Sequence, residues 1–135
     1  MKVTTAAVCE QARERDDSRI DLIGVFHQLH APGFPAVQEH MTAVFVIEWA
    51  GDEAGEQSVR ADLIGPQGRR ILTIEGQTEV PANGDGAPPQ TRIILPLERV
   101  VFPEPGDYHF ELLAGGEVLP VCLLHVIHVP GQAQW

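Results

Sequence analysis

The strongest constraint in this chain is a period of two. Thr42-Ala43-Val44-Phe45-Val46-Ile47-Glu48-Trp49 puts Ala43, Phe45, Ile47 and Trp49 on one pleat face, in residue types that suit a half-buried sheet. Val59, Ala61 and Leu63 alternate in the same way with Arg60 and Asp62. That run ends at Gly65-Pro66-Gln67-Gly68, a turn, so a hairpin is expected with its return strand from Ile71 to about Val80. Tyr108, Phe110 and Leu112 alternate with His109 and Glu111 after the rigid corner Phe102-Pro103-Glu104-Pro105-Gly106, and Gly115-Gly116 turns the chain again.

The remaining segments complete the pattern. Val3 to Val8 and Ile20 to Leu29 read as strands, separated by residues 10–19, a charged stretch without an apolar stripe that forms a loop or one or two helical turns. Thr91 to Leu95 is a short strand stopped at Pro96, and Pro81 to Pro89 is a mobile loop. The last strand, about Val118 to Val129, is apolar on both faces in its middle. No amphipathic helix of ten or more residues stands out, so the fold class is all-β: an antiparallel two-sheet β-sandwich of about eight strands, with less than about 15% helix. The length of 135 residues gives one domain, 1–135. The expected core is Phe45, Ile47, Val59, Leu63, Ile94, Tyr108, Phe110, Leu112, Leu123 and Val126.

Several landmarks together resemble a small uncharacterised bacterial β-sandwich family, a domain of unknown function with Ig-like or jelly-roll-like topology. They are Ala7-Val8-Cys9-Glu10 closing the first strand, Leu22-Ile23-Gly24-Val25-Phe26, Leu63-Ile64-Gly65-Pro66-Gln67-Gly68, Leu95-Pro96-Leu97, Phe102 to Phe110, and Gly115-Gly116-Glu117. The resemblance runs to about Val129 and implies a fold. It carries over no catalytic residue.

Charge narrows the partners. Nine Lys and Arg stand against 19 Asp and Glu, a formal net charge of -10, which repels phosphate backbones and anionic lipid surfaces; neither nucleic acid nor membrane is an expected partner. Arg13, Arg15 and Arg19 are interleaved with Glu14, Asp16 and Asp17 and form no basic patch. No secretory signal and no stretch of about 20 apolar residues is present. The expected location is cytoplasmic, with Cys9 and Cys122 as reduced thiols packed as small hydrophobes.

Six histidines are the obvious chemical candidates. His27-x-x-His30 and His125-x-x-His128 resemble metal-ligand pairs, but residues three apart on a strand point to opposite faces. A site would need one member of each pair with His40 or His109. Cys9 and Cys122 lie inside apolar runs, where burial raises a thiol pKa and opposes nucleophilic use. Ser18 and Ser58 are the only serines and neither sits in a Gly-x-Ser-x-Gly elbow. The acidic residues Asp52, Glu53 and Glu56, and those around Asp85, lack an ordered calcium-loop spacing, and Gly65-x-x-Gly68 lacks the lysine of a phosphate loop. We therefore assign no catalytic, cofactor-binding or metal-binding residue and expect no cofactor.

The functional expectation rests on the last strand. Two apolar faces need two covers, so the chain reads as a non-enzymatic protein-binding or self-associating module, most simply a homodimer, with an unidentified protein partner as the broader possibility. Pleat geometry sends Val121, Leu123 and Ile127 to one face and Cys122, Leu124 and Val126 to the other. His125 and His128 would flank the contact and weaken it below about pH 6 by adding like charges. The alternative is a small-molecule or carbohydrate-binding sandwich, using Phe34, Trp49, Tyr108 and Trp135 as the available aromatics. A histidine-bound metal enzyme is the remaining reading.

Overall fold

The alternation centred on Phe45 is the middle of β4 (Ala36–Glu48), a strand whose residues from Met41 to Ile47 are buried on both faces. The computed structural model describes residues 1–82 and 86–130. In chain order β1 (Lys2–Glu14), β2 (Ile20–Val25) and β3 (Gln28–Ala31) precede β4. A single 3-10 turn at Gly51–Glu53 leads to β5 (Gly55–Ile64), β6 (Arg70–Val80), β7 (Gln90–Phe102), β8 (Gly106–Ala114) and β9 (Glu117–His128). One sheet has the order β2-β1-β4-β7, the other β3-β9-β8-β5-β6.

The core fills the space between the sheets. Met41, Ala43, Phe45 and Ile47 of β4 meet Leu63 of β5, Tyr108, Phe110 and Leu112 of β8, and Leu124 and Val126 of β9. Phe45 and Phe110 make an edge-to-face contact with ring centroids 5.5 Å apart, and Phe102 does the same with Tyr108 at 5.0 Å. Each fully buried side chain of this size contributes about 1.5–3 kcal/mol of transfer free energy. The two buried polar aromatics are satisfied. The Tyr108 hydroxyl donates to the Glu104 carbonyl at 2.6 Å, and the Trp49 indole N–H donates to Thr91 Oγ1 at 2.8 Å.

Around Val44 and Val46 the opposite face of β4 is covered by the chain's own β1–β2 hairpin, whereas Val37 nearer its start is exposed. Ser18, Ile20 and Leu22 share a shallow depression with Val44, Val46 and Arg92. Val44 and Cys9 are fully buried beneath this hairpin, and the Cys9 thiol lies 3.7 Å from the Thr42 carbonyl. Half of the charged stretch 10–19 is thus strand rather than loop or helix: β1 continues to Glu14, and residues 15–19 form the turn.

The two-sheet sandwich, the 65–68 turn and the Gly115–Gly116 turn match the sequence expectation. At Gly115 and Gly116 φ is 58° and 76°, the left-handed pair that a tight hairpin requires. Four expectations change. Among the described residues there are nine strands, because residues 20–29 split between β2 and β3, which join different sheets. β3 pairs in parallel with β9, so the second sheet is mixed. β7 runs through Pro96, which an edge strand tolerates because the missing N–H need not face a neighbour. Ile94 and Leu123 leave the core list: Ile94 stands beside Val44 on the outer face and is half-buried, and Leu123 is 51% exposed. Of the loop from Pro81 to Pro89, residues 83–85 lie outside the described residues, as does the Asp85 acidic group.

Candidate functional site

A bulge in β9 decides which of its side chains reach the surface. Tyr108 pairs with Leu124 but Phe110 pairs with Val121, so one extra residue is accommodated near Cys122, whose φ is 56°. The bulge reverses the side-chain parity. Leu119 and Val121 face inward before it, and Leu124 and Val126 face inward after it. Val121 thus parts from Leu123 and Ile127, with which simple alternation groups it. What remains outside is an aliphatic row along β9: Val118 (54% exposed), Leu123 (51%) and Ile127 (36%).

The same sheet face is charged beyond that row. Asp62 of β5 is only 2% exposed although it points outward. Arg60 covers it with hydrogen bonds of 2.8–3.1 Å, Thr73 donates at 2.7 Å, and Arg70 lies 3.5 Å away. Burial alone pushes the Asp62 carboxyl up, but the hydrogen bonds from Arg60 and Thr73 and the two guanidinium charges outweigh it and hold the group below its ordinary value. Nearer β9, His109 sits 3.4 Å from Glu111, and His125 Nδ1 sits 2.7 Å from Asp107 Oδ1. One outer face therefore combines a row of aliphatic side chains with charged and polar groups that pair within the protomer.

A family model described as Family of unknown function (DUF6941) matches residues 4–127. The chain belongs to this family. No curated protein matches it. The resemblance read from the sequence, to a β-sandwich domain of unknown function, thus agrees with both the family and the all-β architecture.

The remaining candidate residues of this DUF6941 chain are dispersed. His30 aligns with Ile127 on the outer face, whereas His128 turns to the other side, where its Nε2 meets the Pro32 carbonyl at 3.1 Å and its ring lies 6.1 Å from that of Phe34. Among the described residues, no three His, Cys, Asp or Glu side chains converge as metal ligands. Both thiols are displaced away from reactivity: burial raises Cys9, and burial pushes Cys122 up to about 12. Glu53 binds the Met1 ammonium at 2.8 Å. Trp49 and Tyr108 belong to the core and Phe34 is half-buried against it, while Trp135 lies outside the described residues.

Two features escaped the sequence reading. The Arg60-x-Asp62 spacing places both side chains on one strand face, which is enough for an ion pair once β6 brings Thr73 alongside. Gly76, inside the return strand, is the kind of strand glycine that marks an opening or a close approach.

Proposed function

We propose that this chain is a non-enzymatic, self-associating β-sandwich module that forms a homodimer through the outer face of β9. The observation that carries the reading is the exposed row Val118, Leu123 and Ile127 along one strand of an outer sheet face; on the other outer face the chain's own hairpin lies over Val44 and Val46, and Val37 and Val101 are exposed. A row of exposed aliphatic side chains on a largely polar sheet face favours contact with another protein surface. The bulge also supports a symmetric contact. It absorbs one residue between Val118 and Leu123, leaving Val118 and Ile127 at similar distances on either side of Leu123. A two-fold axis through Leu123 then sets Val118 of one protomer against Ile127 of the other, as an isologous interface requires.

Of the two imidazoles expected at the seam, His125 adjoins the row and His128 does not. His125 Nδ1 lies 2.7 Å from Asp107 Oδ1, so a carboxylate of the same protomer stands beside this imidazole at the proposed seam. We place the protein in the cytoplasm, where two unpaired thiols are stable. Concentration-dependent methyl NMR tests the reading. The methyl signals of Val118, Leu123 and Ile127 are expected to shift on dilution from millimolar to micromolar protein, while those of Val44 and Leu63 stay fixed. Shifts confined to methyls away from β9 would reject this face.

A further inference from the structure

On the side of the sandwich away from β9, the sheets end in β6 and β7, each hydrogen-bonded, among the described residues, to a neighbouring strand on one side only. Between these edges lies an apolar cleft of about 140 Å³, lined by Val59, Ala61, Ile74, Gly76, Ile93 and Leu95. Gly76 makes the opening. It pairs with inward-facing Val59, so its missing side chain would point between the sheets, and a Cβ built there meets no atom within 4 Å. Its φ lies outside the left-handed region, so the backbone does not demand glycine. Glycine in a strand interior is unfavourable through chain entropy, and no close contact or turn compensates here.

The rim is anionic. Glu75 borders the cleft, Glu56 and Glu117 line the broad depression on its outer side, and Glu14 and Glu79 line the adjoining one. Of the arginines in those two depressions, Arg60 is engaged by Asp62 at 2.8 Å, which leaves Arg92 against the carboxylates.

We infer that β6 accepts an extended cationic peptide segment of a partner protein as an added strand, with one leucine-sized side chain inserted at Gly76. Three features converge on that occupant. The unpaired backbone edge supplies main-chain hydrogen bonds, as in strand addition generally. The cleft approaches the roughly 150 Å³ of an apolar cavity that holds benzene, which suits one aliphatic side chain. Outward-pointing residues on the added strand stand opposite Glu75, Gln77 and Glu79 in turn, and lysine or arginine opposite the two glutamates completes cross-strand charge pairs. A second copy pairing edge to edge through β6 would instead set these glutamates against each other. β7 is the poorer acceptor, because Pro96 removes a donor from its edge.

The test is titration of labelled protein with acetyl-Lys-Thr-Lys-Leu-Lys-Thr-Lys-amide, read by NMR. Amide shifts are expected at Thr73 to Gln77, with methyl shifts at Ile93 and Leu95. Replacing the peptide leucine by alanine should weaken binding about tenfold, from the lost burial. Replacing the lysines by glutamates should abolish binding, and Gly76→Val, which fills the opening, should abolish it without lowering the melting temperature. Equal binding of the leucine and alanine peptides, undiminished binding by Gly76→Val, or no shifts at millimolar peptide would each overturn the inference; the peptide comparison requires no variant to fold. A dimer that Gly76→Val dissociates would overturn it in favour of a second copy at this edge.

Discussion

Truncating Leu123 to alanine removes the centre of the proposed dimer contact. Burying a leucine side chain completely contributes about 1.5–3 kcal/mol. Leu123 is 51% exposed in the protomer, so about half of that, roughly 0.8–1.5 kcal/mol, remains available to a partner. A two-fold axis counts the residue twice, giving about 1.5–3 kcal/mol for the dimer and a dissociation constant weakened about 10- to 150-fold. The protomer loses only the buried half, so its unfolding free energy should fall by about 1 kcal/mol, well short of a core truncation. Sedimentation velocity over a dilution series measures the first quantity and denaturant unfolding of the dilute monomer the second. A Leu123→Ala dissociation constant within threefold of the parent protein would refute the reasoning, as would a loss of several kcal/mol in the monomer, which would make Leu123 a core residue.

Three further outcomes follow from the fold. Phe110→Ala, at a fully buried position in edge contact with Phe45, should cost about 3–5 kcal/mol in chemical denaturation; an unchanged midpoint would remove it from the core. Tyr108→Phe deletes the 2.6 Å bond to the Glu104 carbonyl and should cost about 1 kcal/mol, with the loss absent if that bond does not form in solution. Asp62 has a folded-state pKa held below its unfolded value, so its stabilising contribution is present above the ordinary carboxylate range and is lost as pH falls through the lowered value. The stability difference between the parent protein and Asp62→Asn should therefore be largest near neutral pH and shrink below pH about 4; a difference independent of pH would contradict the assignment.

Alternation identified most of the sheet because side chains on a half-buried strand must repeat every two residues. It was sufficient for β5 and β8, whose inward residues Val59, Leu63, Tyr108, Phe110 and Leu112 are buried in the structure. It failed where the backbone breaks the period. Nothing in Val121-Cys122-Leu123 announces that Cys122 adopts φ 56°, a conformation that side chains other than glycine and asparagine seldom occupy, so Leu123 was read as inward. The charged stretch that begins at Glu10 looks like the end of the first strand, yet β1 runs on to Glu14, because a hairpin lying over a sheet face needs only one apolar side. Pro96 was read as a stop because sequence does not show that β7 is an edge. The Gly76 opening depends on Ile93 and Leu95 in the opposite sheet, a long-range juxtaposition outside the reach of any local pattern.

The mass of the unmodified protein in solution tests self-association most directly. Light scattering coupled to size-exclusion chromatography at neutral pH and tens of micromolar protein should give about twice the 14.7 kDa of one chain, falling toward the single-chain value on dilution. A single species at 14.7 kDa across that whole range would contradict self-association through β9.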